Sequence, residues 1–123
     1  MIDFNKLNTY KENNKLEVKK ATGGLPHSIW QTYSAFANTD GGLILLGVDE
    51  NPDKTLNVIG LLNPENLIAD FWNTVNNSQK VSFNILFDRH VQIMEVDSKK
   101  IIVIKVPRAD RTLKPIIFKR KTI

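Results

Sequence analysis

With 123 residues the chain supports one domain with one modest hydrophobic core. No apolar run approaches the roughly 20 residues of a membrane-spanning helix, the opening MIDFNKLNTY lacks the charged-then-apolar order of a signal peptide, and the absence of cysteine excludes a disulfide framework, a thiolate metal site and a cysteine nucleophile. The net charge of +4 is unevenly spread: residues 99–123 hold nine basic side chains against the single acid Asp110, so that this segment carries +8 and the other 98 residues carry −4.

In chain order, Phe4, Leu7 and Tyr10 stand at helical spacing and predict a short N-terminal helix over residues 3–11, with Asp3 as its cap and Glu12-Asn13-Asn14 as a turn. Residues 15–21, KLEVKKA, alternate, which predicts a half-buried strand with Leu16 and Val18 on one face and Glu17 and Lys19 on the other. Gly23-Gly24 ends it. Residues 26–49 then form the stretch around which the chain is organised. Ile29, Tyr33, Phe36 and Ala37 recur at i, i+4, i+7 and i+8 on one helical face; Pro26 suits a first turn, Ser28 offers a capping hydroxyl, and Asn38-Thr39-Asp40-Gly41-Gly42 supplies the stop. Leu43 to Val48 is an apolar run too short for a helix, and is expected to be a central strand covered on both faces.

Asn51-Pro52-Asp53 is turn chemistry, and residues 56–61 read as the returning strand of a hairpin. Asn63 as N-cap and Pro64 at the first helical position open a second helix running to about Asn77, with Leu67, Ile68, Phe71, Trp72 and Val75 as its stripe. Residues 81–87, 90–96 and 101–106 read as strands, the last two joined by a turn at Asp97-Ser98-Lys99-Lys100, and a final extended piece follows Pro115 over residues 116–119. The expected fold is α+β: a single mixed sheet of about six strands packed with two main helices plus the short N-terminal one, in one domain over residues 1–123.

Two sets of side chains could carry chemistry. Glu17 and Lys19 project from one strand face two residues apart, which suits either an ordinary ion pair or a division of labour in which the carboxylate holds a hard cation and the lysine steadies a phosphate. Asp49, at the end of the buried strand beside Glu50, is either a turn-initiating acid or a second carboxylate converging with Glu17; convergence would require a cation or a shared proton. Glu12 joins them only if Asn13-Asn14 lets the chain curl back. His27 and His90 stand alone, without a partner at metal-ligand spacing, and read as surface or strand residues. Neither glycine pair matches a Walker loop or a dinucleotide fingerprint.

The order of Glu12, Glu17 and Lys19 (ExxxxExK), then LPxSIWxTYSAFANTDGG over Leu25 to Gly42, then a buried strand ending GVDE, resembles the Schlafen AlbA-type domain, and VIGL at residues 58–61 and the Val96 to Pro107 hairpin follow the same layout. The resemblance runs from about residue 8 to residue 119. The family is commonly described as DNA-binding, often within bacterial transcriptional regulators, and older descriptions mention ATP. Its animal relatives include endoribonucleases that cut transfer and ribosomal RNA with three acidic residues, which fall here on Glu12, Glu17 and Asp49. Those enzymes join two such lobes in a positively charged horseshoe, so a single lobe would dimerise to build one. The family's domain continues into a strand with an arginine-glycine-serine stretch; a chain ending at Ile123 reads as a module or the N-terminal piece of a longer protein.

Three functions follow as expectations. The first is a cytoplasmic nucleic-acid-binding module of a transcriptional regulator. It needs no cofactor, contacts phosphates through Lys19, Lys20, Lys105, Arg108, Arg111, Lys119 and Arg120, and has no membrane partner. The second is an endoribonuclease dependent on Mg²⁺ or Mn²⁺ held by Glu12, Glu17 and Asp49. The third is a scaffold or homodimerisation domain without a nucleic-acid ligand. The first two share one geometric expectation: an acidic cluster at the mouth of the sheet adjoining a basic ridge from the last third of the chain.

Overall fold

The computed structural model describes residues 15–77, 79–82 and 84–117. The predicted N-terminal helix, Glu12, Lys119 and Arg120 lie outside them. Four strands form a mixed sheet: β1 (Leu16–Lys19), β2 (Gly42–Leu46), β5 (Val91–Val96) and β6 (Lys99–Val106), in the order β1-β2-β6-β5. β1 runs parallel to β2, with Glu17 opposite Ile44 and Lys19 opposite Leu46, and the crossover between them carries helix α1 (Ile29–Asn38). β6 is antiparallel to both of its neighbours. Val96 pairs with Lys99 across a two-residue turn in which Asp97 and Ser98 both have positive φ, the geometry that follows the strand twist.

The two inner strands are buried on both faces, as their apolar runs require. On one face, Ile44, Leu46, Ile102 and Ile104 meet the apolar stripes of α1 and of helix α2 (Pro64–Val75). Trp30 of α1 and Phe71 of α2 stack with ring centroids 5.2 Å apart, which joins the two helices over the sheet. On the other face, Leu16, Val18, Leu45, Ile101 and Val103 meet a two-stranded hairpin made of β3 (Val48–Glu50) and β4 (Leu56–Val58).

That hairpin corrects two expectations. The run from Leu43 to Val48 is two strands, and the six strands are divided between a four-stranded and a two-stranded sheet. Gly47 is the break. Its φ of +92° turns the chain out of the first sheet, and a Cβ there would stand 2.9 Å from Leu61 Cγ. Its carbonyl accepts from the N–H groups of both Ile59 and Gly60, so the exit is closed by backbone bonds.

Among the described residues of the segment 81–87 there is no strand. Val81 makes an isolated bridge, and the segment's donors are met irregularly: Ile85 N–H donates to the Tyr33 hydroxyl, Leu86 N–H to Asn84 Oδ1, and Ser82 N–H to the Ile117 carbonyl. A 3₁₀ turn over Asp88–His90 then leads into β5. The caps also differ from expectation, because neither Ser28 nor Asn63 accepts a capping bond through its side chain. After β6 the chain returns along α1: Ala109 N–H donates to the Ala37 carbonyl, and Asn38 holds the backbone of Ile116. No helix among the described residues is long and apolar enough to cross a membrane.

Candidate nucleic-acid interface

Strand alternation sends Leu16 and Val18 into the hairpin side of the sheet and leaves Glu17 and Lys19 on the helix side, at the edge beside α1. Lys19 is held there by two contacts. Its Nζ donates to Ser28 Oγ at 3.0 Å and lies 3.9 Å from Glu17 Oε1, and its side chain is only 13% exposed. The Ser28 hydroxyl expected to cap α1 is thus the acceptor that ties β1 to the start of the helix. Glu17 opens into a groove of about 550 Å³ between β1 and α1, together with Lys15, Thr32, Phe36, Thr39 and Asp40.

Asp49 lies elsewhere. It follows Val48 beyond the Gly47 break, accepts from Glu50 N–H at 2.9 Å, and faces Lys20 Nζ at 3.6 Å. It does not line the groove that holds Glu17. Each of these two carboxylates therefore faces its own lysine, and no group of three His, Cys, Asp or Glu side chains able to hold a metal ion exists among the described residues. Glu12, the third acid expected with them, lies outside the described residues.

The basic candidates of the last segment occupy the end of the strands away from the Lys20–Asp49 pair. Lys105 is exposed on β6 opposite Leu43, near the start of β2, whereas Lys19 pairs at the level of Leu46 and Lys20 lies beyond it. At strand rise this separates Lys105 from the Lys20–Asp49 pair by about 10–13 Å along the sheet. Arg108 is exposed just past β6, where its backbone passes Gly41. Arg111 is exposed in a 3₁₀ turn that Asp110 caps by accepting from Thr112 N–H and Oγ1; those bonds hold the Asp110 carboxyl below its ordinary pKa. Of the expected acidic cluster, Asp49 thus stands at the other end of the sheet from these cations, whereas Glu17, opposite Ile44, lies within one residue of the level of Lys105.

Sequence reasoning missed a second cationic feature beside Lys105. In the turn before β5, the Arg89 guanidinium lies 4.7 Å from the centroid of the Phe87 ring, and the His90 ring is 5.8 Å from it. Partial burial, then the charges of Arg89 and Lys105, hold the His90 pKa below its ordinary value. Read as the end of a strand, Phe87 would have been assigned to the core, so no signal in the segment marked it as a surface residue.

The glycines and Asn38 of the SAFANTDGG stretch have structural work. Gly41 has φ +82° and lies so near β6 that a Cβ would meet the Val106 carbonyl at 2.6 Å, while a Cβ on Gly42 would meet the Phe36 ring at the same distance. Asn38 binds Ile116. The stretch docks the end of α1 against the end of β6 and the segment after it.

This α+β framework, with its parallel β1–β2 pair bridged by α1, is shared with known proteins. The chain belongs to the Schlafen AlbA_2 family, whose model matches residues 12–122. Its fold is similar to the solution NMR structure of the N-terminal domain of a protein from Nitrosomonas europaea described as related to the ATP-dependent DNA helicase RecG. The two share 27% sequence identity with a TM-score of 0.73, over 98% of this chain and 80% of that one. No curated protein matches the sequence.

Proposed function

We propose that this domain binds nucleic acid through the basic end of its sheet, as the module of a larger regulatory protein. The observation that carries the reading is the line of exposed cations Lys105, Arg108 and Arg111 leading away from β6, in the part of the sequence that holds nine basic side chains and one acid. Such a surface attracts a polyanion and exchanges its condensed counterions for protein ammonium and guanidinium groups. Family membership and the likeness to a domain of a helicase-related protein support the same ligand class.

Lys19 and Lys20 have a smaller part in this reading. The first is tied to Ser28 and Glu17, and the second faces Asp49 at the other end of the sheet. Binding of a labelled oligonucleotide should weaken linearly on a log–log plot against salt, with a slope of about −0.7 to −0.9 per phosphate contacted. Lys105→Ala or Arg108→Ala should reduce that slope by about one contact each, and Lys20→Ala should not. A protein that binds neither DNA nor RNA at low salt, and only self-associates in light scattering, would instead be a scaffold. Cleavage of structured RNA that disappears with chelator and with Asp49→Ala would turn the reading to the metal-dependent nuclease.

A further inference from the structure

Phe87 is the one exposed aromatic side chain among the described residues, at 61%, while Trp30, Tyr33, Phe36 and Phe71 are buried in the core. Leaving a phenylalanine this far in water forgoes the gain of burying it, so its position calls for a reason. Nor is its backbone loose. Phe87 N–H donates to His90 Nδ1 at 2.9 Å and His90 N–H donates back to the Phe87 carbonyl at 2.9 Å, a reciprocal pair that fixes the turn from which the ring projects.

The ring's surroundings are cationic. Arg89 lies over it, and Lys105 is exposed on the adjoining strand, near enough to act on His90; Asp88 is the turn's one acid. Gln92, also exposed, follows on β5. An aromatic ring carrying a guanidinium offers a π-surface on either component, since bases stack on both. The chemistry that fits a flat apolar face with a guanidinium over it and a lysine on the adjoining strand is a base joined to phosphates, and only an unpaired base has its face free.

We propose that the Phe87–Arg89 stack, with Lys105 beside it, is a platform for an unpaired base of single-stranded nucleic acid, with Arg89 and Lys105 taking the neighbouring phosphates. The inference rests on the reading that the domain binds nucleic acid, and adds that the preferred ligand is single-stranded. Stacking is a contact that salt does not screen, so it separates cleanly from the phosphate contacts made by Lys105, Arg108 and Arg111.

The test is fluorescence anisotropy with a labelled single strand of about 12 nucleotides and a blunt duplex of equal length, each over a salt series. The wild-type protein should prefer the single strand. Phe87→Ala should weaken that binding by about 5- to 150-fold with the salt slope unchanged, Phe87→Tyr should keep it, and Lys105→Ala should lower the slope. Because Phe87 is exposed, all three variants should keep the wild-type circular dichroism spectrum. Unchanged affinity in Phe87→Ala, or equal affinity for duplex and single strand, overturns the platform while leaving the basic surface in place. A wild-type protein that binds neither ligand at low salt overturns both readings.

Discussion

Asn38 and Ile116, 78 residues apart, form a closed two-bond ring: the Asn38 amide Nδ2 donates to the Ile116 carbonyl at 2.8 Å, and its Oδ1 accepts the Ile116 N–H at 2.6 Å. The side chain imitates one rung of a β-ladder, at the point where α1 ends and the segment after β6 passes. Ile116 is itself buried, so the ring holds an apolar side chain in the core as well as satisfying backbone.

Asn38→Ala should therefore destabilise the domain by about 1–3 kcal/mol, because two backbone groups lose their partner. Urea unfolding measures this, and amide exchange should rise first at Ile116. Asn38→Asp keeps an acceptor for the Ile116 N–H but sets a carboxylate against the carbonyl. Its stability should recover on acidification, when the protonated acid can donate.

Gly42→Ala should cost about 1–3 kcal/mol by overpacking against the Phe36 ring. Gly41→Ala should cost at least as much, since it adds a positive φ to a clash with the Val106 carbonyl, which is backbone and has no rotamer by which to yield. Thermal denaturation of both variants, with Gly23→Ala as a control at a site open to solvent, gives the ranking; a Gly41→Ala protein as stable as wild type would contradict this packing.

Ser28→Ala should be milder than the loss of a helix cap, because the hydroxyl serves Lys19 instead of the helix amides. A cost below about 1 kcal/mol is expected. The signature lies in coupling: Ser28→Ala and Lys19→Met should be non-additive in a double-mutant cycle, whereas two unconnected surface changes would simply add.

Acid should weaken the turn before β5. The His90 pKa is lowered in the folded protein, so the unfolded chain binds a proton that the folded one resists. Stability present in full above the unfolded value of 6.5 is then lost as pH falls from there toward the folded value. Protonation also removes the Nδ1 lone pair that accepts the Phe87 N–H. Since His90 is partly exposed, the effect is modest. Between about pH 8 and pH 5, the melting temperature should fall further for wild type than for His90→Gln. Parallel curves would remove His90 from this account.

Where periodicity carries the information, the sequence was sufficient. The α1 stripe, its glycine stop, the face shared by Glu17 and Lys19, and the hairpin before Pro107 all appear as expected, because each depends on neighbours within a few residues. The break at Gly47 was hidden because an apolar run does not disclose the sign of one φ angle. The segment over 81–87 was misread because apolar residues at 81, 83, 85 and 87 imitate a strand, whereas its amides are met by Tyr33 and Asn84, from outside any ladder. The place of Asp49 followed from the same break, since the turn at Gly47 carries it toward Lys20 and out of the groove that holds Glu17.

The pairing of Ile44 with Ile104 sets the pace at which this molecule assembles. The two central strands come together only after a loop of some 60 residues has closed, and the first strand joins only across a helix. The β3–β4 and β5–β6 hairpins close locally but the central pairing does not, so this mixed α/β domain should fold more slowly than a helical bundle, which takes about microseconds to milliseconds. During synthesis, everything ahead of Lys99 must wait for its central partner to emerge.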